Sequence, residues 1–238
     1  KTPIVVNDSR GFYTSRVIGF MVNEGLAMLA EGVHPVSLER AATQSGYPVG
    51  PLQLSDELNM ELMLKIGKAT ADAAEREGFA YTEHPGAAVV KHMVEIGRPS
   101  RLKGAGFYEY ADGQRAGIWK GLTAEYPTAT ESIPFQDVKD RMMFLEALET
   151  AKCFEEGVLT SSAAANIGSI MGIGFPPNTG GAAQFMTGYE AHSDSQSGDI
   201  GLQAFVKRAE ELAATYGERF RPTAYLTDLA ASGGTFPA

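Results

Sequence analysis

Apolar positions recur at helical spacing along most of this chain. Val17, Phe20, Met21 and Met28 share one face of a helix expected from about Gly11 to Glu31, and Gly32 supplies the left-handed position that ends it. A second helix is expected to begin near Pro35-Val36-Ser37 and to stop before Gly46. Gly46-Tyr47-Pro48-Val49-Gly50-Pro51 then reads as a rigid corner, because proline fixes φ where glycine frees it. One long helix is predicted over 57–77, stopped by Gly78, and another from about Pro85 to Ile96. Gly104-Ala105-Gly106 is a turn leading into a short aromatic strand at Phe107-Tyr108-Glu109-Tyr110. Residues 127–133 show no apolar period and read as a linker. A long helix follows from about Phe135 to Glu156, capped by Gly157, with shorter ones at about 160–171, 180–187 and 200–216. The tail 231–238 is expected to be loose. Ile4-Val5-Val6 is a β-like triplet, too short to stand without a sheet to join.

The first part of this pattern returns in the second half. RVIGFMVNEGLAMLAEGV at 16–33 is answered by RMMFLEALETAKCFEEGV at 141–158. At a constant offset of 125, Arg16 meets Arg141, Glu24 meets Glu149, Glu31 meets Glu156, Gly32 meets Gly157 and Val33 meets Val158. Gly46-Tyr47-Pro48 is answered by Gly174-Phe175-Pro176 at an offset of 128. The period is far too long for a solenoid. The expectation is an all-α chain of two tandem, duplicated helical domains, 1–126 and 134–238, packed as two subunits of a dimer would be.

Charge and composition narrow the chemistry. A net charge of −9 argues against a nucleic-acid surface, which needs a clustered basic face. The single cysteine, Cys153, excludes an internal disulfide and fits a reducing cytoplasm; within a helical pattern it reads as a small buried side chain. No apolar run approaches the ~20 residues of a membrane helix, and the N-terminus lacks a signal-peptide pattern. The chain opens on Lys1-Thr2-Pro3 rather than Met, as expected of a piece of something longer. Gly104-x-Gly106 precedes aromatics rather than a helix start, so it cannot present amides to a pyrophosphate as a Rossmann turn does. No P-loop or G-x-S-x-G elbow occurs. His34, His84, His92 and His192 lack ligand spacing and read as surface or capping residues, so no metal is expected.

Glu24 lies on the apolar face of the first helix, where an unpaired carboxylate costs several kcal/mol. It is either an acid/base group or a structural carboxylate with a donor. Its recurrence as Glu149 favours the structural reading, since two copies would hardly share one catalytic site.

KTPIVVNDSRGFYTSR, EGV, GYPVGPLQLSD and KGAGFYEY together resemble the C-terminal domain of 3-hydroxyacyl-CoA dehydrogenases. RMMFLEALETAKCFEEGVL and GIGFPPNTGGAAQFM are similar to the extra C-terminal repeat of the multifunctional fatty-acid β-oxidation α-subunit. The resemblance covers residues 1 to about 220. It implies the helical fold of the 6-phosphogluconate dehydrogenase C-terminal type, with the second copy standing in for a partner subunit. It also implies a preceding Rossmann domain that carries NAD and a His–Glu pair, and a hydratase domain further upstream. Both are absent from this sequence. The family motif Gly-Phe-x-x-Asn-Arg places an Asn against substrate; Ser15 holds that position here, shorter but still a donor and an acceptor. A helix-start serine without a substrate role is the alternative. Where the family often has a cofactor-reaching Lys, this chain has Leu102, followed by Lys103; Lys103 is either the substitute or a solvated surface lysine. Asp56 matches a family Asp and is expected to cap a helix beginning at Glu57.

The resulting expectation is the C-terminal part of a cytoplasmic enzyme that oxidises (S)-3-hydroxyacyl-CoA with NAD. Ser15 would stand in the acyl pocket and Lys103 near the cofactor, and the chain would be inactive alone because it encodes no positioned base. Its partners would be acyl-CoA substrate and the upstream domains, with a thiolase subunit or a second copy of the chain also open. A non-catalytic scaffold that docks partner subunits is the second reading. A free-standing helical ligand-binding module is the third.

Overall fold

A computed structural model describes residues 2–191 and 200–238. Helix α1 (Thr14–Ala30) starts later than its apolar pattern suggests, because Gly11 and Phe12 take left-handed backbone angles (φ 76° and 51°) that a right-handed helix cannot include. Its other end closes as expected: Gly32 has φ 91° and the Val33 amide donates to the Met28 carbonyl at 2.9 Å. Helix α2 (Pro35–Ser45) follows. The single helix expected over 57–77 is two, α3 (Pro51–Leu58) and α4 (Met60–Glu77). Asn59 separates them at φ 69°, a conformation its short amide tolerates, and its side-chain oxygen caps α4 by accepting from the Glu61 amide at 3.0 Å. Leu and Met continue the helical period through the break, which hides it from the sequence.

Helix α5 (Ala87–Glu95) leads to a hairpin, β1 (Tyr108–Ala111) and β2 (Gln114–Ile118), in antiparallel register with Tyr108 opposite Ile118. Helix α6 (Leu122–Glu125) is one turn. The 127–133 segment carries no helix or strand, and the Ala129 amide donates to the Gly32 carbonyl at 3.0 Å. After α7 (Phe135–Glu155) and α8 (Ser162–Gly168), the expected helix through 171 changes into a π turn, Ser169–Ile173. Helices α9 (Ala182–Thr187), α10 (Leu202–Tyr216) and α11 (Ala224–Ala231) complete the chain.

Two sequence-level expectations change. The tail is held, not loose: Phe236 is buried and stacks on Phe154 at 4.7 Å, and the Ser162 amide donates to the Pro237 carbonyl at 2.7 Å. Ile4-Val5-Val6 forms no strand. Ile4 and Val6 lean on the core while Val5 stays 85% exposed, and Asn7 anchors the segment through the Val158 and Gly157 carbonyls at 2.9 and 2.7 Å.

The chain resolves into two compact units. One comprises Lys1–Met21, Gly46–Pro48 and Asp140–Ala238; the other comprises Val22–Ser45 and Val49–Lys139. Residues 1–21 and the Gly46-Tyr47-Pro48 corner thus group with the chain from Asp140 onward. In the first unit α7 is buried on every side from Asp140 to Ala151, the behaviour of a core helix. Phe144 stacks on Phe205 at 4.3 Å and 3°, with Phe185 and Tyr189 edge-on at 5.7 and 5.2 Å. Each such ring contributes roughly 1.5–3 kcal/mol by burial. In the second unit Leu26, Leu38, Leu52, Met60, Val90, Met93 and Phe107 are buried, and Gly25 is needed because a Cβ there would overlap Pro51.

Candidate functional site

The approach to α1 sorts its side chains by face. Tyr13 and Val17 are buried in the first unit's core, while Ser15 between them is exposed. The Tyr13 hydroxyl lies 3.1 Å from Thr150 Oγ1 and donates to the Ala165 carbonyl at 3.2 Å; burial pushes its pKa well above the ordinary phenol value. Arg16 is clamped by two distant glutamates, with Nε on Glu149 at 2.5 Å and a bidentate pair on Glu156 at 2.5 and 3.0 Å. Burial acts to lower the Arg16 pKa, but the bonds to Glu156 and Glu149 outweigh it and raise it. The Glu156 carboxyl is lowered by the same pairing. This clamp fixes the first turn of α1 and leaves Ser15 pointing to solvent, its hydroxyl without a hydrogen bond among the described residues. Beside it Phe12 is 57% exposed at positive φ, a conformation that costs on the order of 1 kcal/mol. Thr14 packs on Gly172 of the π turn, where a Cβ would come within 2.7 Å of its methyl. The ensemble offers a free hydroxyl, donor and acceptor, next to an exposed aromatic ring.

Lys103 lies in the other unit, on a 3₁₀ turn (Arg101–Lys103), and is exposed, as is Leu102 at 84%. The Lys103 side chain makes no hydrogen bond or ion pair with a described residue. The hairpin after it is pinned by Asp56. That carboxylate does not cap a helix, as the sequence suggested, because α3 already spans it. Instead it accepts from the Phe107 and Tyr108 amides at 2.8 and 3.0 Å and from the Tyr110 hydroxyl at 2.8 Å. Glu39 accepts from the Leu52 amide at 2.8 Å and the Tyr108 hydroxyl at 2.6 Å. Burial raises the pKa of both acids against the pull of these bonds.

Glu24 and Glu149 are both buried. Glu149 meets Arg16 and, at 3.3 Å, Lys152. Glu24 is fully buried with His84 Nε2 at 3.0 Å, close but not aligned as a hydrogen bond. His34 Nδ1 accepts from the Val36 amide at the start of α2, and His92 meets Glu125 at 2.7 Å. His192 lies outside the described residues. Cys153 is buried, its thiol pushed up to about 12 by burial. Among the described residues no acidic, His or Cys cluster could hold a metal, and no helix is long and apolar enough to cross a membrane.

Sequence reasoning missed Glu146. It is fully buried in the middle of α7, accepts from the Tyr47 hydroxyl at 2.6 Å, and its other oxygen has no partner among the described residues. Burial pushes its carboxyl up to about 8, and the Tyr47 bond only partly opposes this. The available signal was its register: at the repeat offset Glu146 stands where the first copy has Met21, a core position.

Residues 11–110 match the family model of the 3-hydroxyacyl-CoA dehydrogenase C-terminal domain. The matched segment takes in the Gly11–Ser15 turn, α1 to α5 and most of the first strand of the hairpin. Among solved structures, the dehydrogenase part of multifunctional enzyme 1 from C. elegans superposes with a TM-score of 0.61 at 17% identity, over 92% of this chain and 48% of that one. The 3-hydroxybutyryl-CoA dehydrogenase of Escherichia coli K12 superposes with a TM-score of 0.66 at 17% identity, over 98% of this chain and 62% of that one. At such identity the likeness is one of fold, and it extends beyond the matched domain to nearly the whole chain. The chain spans about half the length of the first structure and less than two thirds of the second.

Proposed function

We propose that this chain is the C-terminal part of a cytoplasmic fatty-acid β-oxidation enzyme that converts (S)-3-hydroxyacyl-CoA to 3-ketoacyl-CoA. In that reaction NAD⁺ accepts the hydride from C3 while the hydroxyl proton passes to a base. Both the nucleotide and the base would be held by a Rossmann domain outside this chain. The observation that carries the reading is Ser15: an exposed, unpartnered hydroxyl held rigidly by the Arg16 clamp, at the substrate-contacting position of the family motif. It would hydrogen-bond the substrate oxygen, and Lys103 would stand free for the cofactor. The second copy would act as a built-in partner subunit. That part of the reading is supported by the make-up of the first unit, in which Tyr13 and Arg16 of the first copy bond Thr150, Glu149 and Glu156 of the second.

The test is acetoacetyl-CoA-dependent NADH oxidation by residues 1–238 and by the longer enzyme that contains them. The expected result is an active enzyme and a silent segment. Within the enzyme, Ser15→Ala should lower kcat/KM about tenfold, the loss expected for one hydrogen bond to substrate, and Ser15→Asn should retain activity. Unchanged turnover in Ser15→Ala would remove Ser15 from the site.

A second reading, an assembly module that docks a partner subunit such as a thiolase, draws on Leu62 and Ile66 of α4, which are 50% and 59% exposed. An inactive longer protein that co-purifies with such a subunit would favour it.

A further inference from the structure

We infer that the cleft beside the β1–β2 hairpin binds a phosphate ester, independently of the dehydrogenase reading. Gln53, Glu57, Arg101, Tyr110, Gln114 and Arg115 line a space of about 200 Å³, and every one of them brings a polar group. The two arginines are set in place by contacts other than close ion pairs. Arg101 Nη2 donates to the Gly113 carbonyl at 3.1 Å, at the tip of the hairpin. The Arg115 guanidinium lies 4.9 Å over the Tyr108 ring. Neither forms an ion pair with a described residue, although the chain carries a net charge of −9 and acids are plentiful.

The neighbouring buried acids spend their hydrogen bonds elsewhere, and Glu39 attracts Arg115 only through space. Asp56 accepts from two backbone amides and the Tyr110 hydroxyl, and Glu39 from the Leu52 amide and the Tyr108 hydroxyl. Two pre-positioned guanidiniums in one recess are suited to an anion with several acceptor oxygens, which planar forks grip bidentately. The remaining groups refine the choice. Glu57 accepts from Gln53 at 2.8 Å through one oxygen and has further acceptor capacity, and Tyr110, its proton given to Asp56, presents only an acceptor. A ligand matching both sets carries an oxyanion and, near it, a hydroxyl or amino donor. A nucleotide-type phosphate ester has that chemistry, whether as a free nucleotide or as the adenylate end of a CoA thioester.

The measurement is calorimetric titration of the 238-residue chain at low salt with inorganic phosphate, AMP and CoA in turn. Saturable one-to-one binding is expected, with AMP tighter than inorganic phosphate. AMP without CoA binding would assign the site to a free nucleotide; CoA binding as tight as AMP would assign it to the thioester's adenylate end. Arg101→Gln and Arg115→Gln should each weaken AMP at least tenfold. Both side chains are exposed, so the fold should survive, as far-ultraviolet circular dichroism would verify. Glu57→Gln should tighten inorganic phosphate by removing a like charge, and narrow the preference for AMP by weakening an acceptor. No saturable binding of any probe, or equal binding by the Arg101→Gln/Arg115→Gln double variant, would overturn the assignment. Inorganic phosphate bound more tightly than AMP would overturn the ester.

Discussion

Replacing Glu146 with Gln should raise the unfolding temperature at pH 8 and flatten its dependence on pH. Glu146 is fully buried; one oxygen takes the Tyr47 hydroxyl and the other has no partner among the described residues. The groups that bear on its ionisation are its own desolvation and Tyr47, with no cation compensating. Its carboxyl therefore keeps its proton to about pH 8 in the folded chain, against an ordinary value near 4.5. The sign follows from proton counting. Between these two values the unfolded chain has lost the proton and the folded chain holds it, so stability is fully present below pH 4.5 and falls as pH rises to about 8. The accumulated loss is on the order of 3–5 kcal/mol. Glu146→Gln removes that loss while its carbonyl still accepts from Tyr47; its amide, with no acceptor in reach, costs about 1–3 kcal/mol. At pH 5 the variant should equal or fall slightly below the parent, and at pH 8 it should exceed it by roughly 5–10 °C. The double change Tyr47→Phe with Glu146→Met installs the residue types found at the repeat-related positions, Phe175 and Met21, and should also lose the pH dependence. Parallel unfolding temperatures for parent and both variants across pH 5–8 would show that Glu146 ionises freely.

The buried acid also shows where the sequence was legible. Helices with an apolar stripe and a glycine stop, α1, α2 and α7, were readable because burial on one face and a left-handed terminus both leave marks in residue order. Asn59 left none: an asparagine inside a Leu- and Met-rich run resembles a helix residue until its φ of 69° is seen. The tail was misread because Phe236 sits among Gly, Thr and Pro, a loose composition, yet its ring reaches Phe154 across a long sequence separation. Ser15 could be named from the motif, but its isolation from other hydrogen-bonding groups arises from the Arg16 clamp, whose glutamates lie 133 and 140 residues away. Glu146 and Asp56 are cases of the same limit. A carboxylate's role depends on which donors converge on it, and those donors come from distant segments. For Glu146 a single hydroxyl converges; for Asp56 three donors do.

Asp56→Ala is accordingly expected to release the hairpin. Three donors, the Phe107 and Tyr108 amides and the Tyr110 hydroxyl, end on its two oxygens, and Asp56 itself is fully buried. No water can replace an acceptor at so closed a site without rearrangement. A buried donor left unpaired costs about 1–3 kcal/mol, so losing two amide partners and one hydroxyl partner should destabilise by roughly 3–5 kcal/mol. Asp56→Asn keeps one carbonyl oxygen but turns an NH₂ toward the remaining donors, and should cost about half as much. Gly106→Ala should act through the same contact from the other side, since a Cβ there would overlap the Asp56 carboxylate. The affected region distinguishes this from a general loss of packing. Amide exchange should accelerate first at Phe107 and Tyr108, where the bonds are lost, and reach Leu52 only if the hairpin departs far enough for the Tyr108 hydroxyl to leave Glu39. Glu57→Ala, the exposed neighbour on the same helix, is the control and should change stability by less than about 0.5 kcal/mol. If Asp56→Ala were no more costly than Glu57→Ala, the carboxylate would not be what holds the hairpin, and the packing of Phe107 would have to do so alone.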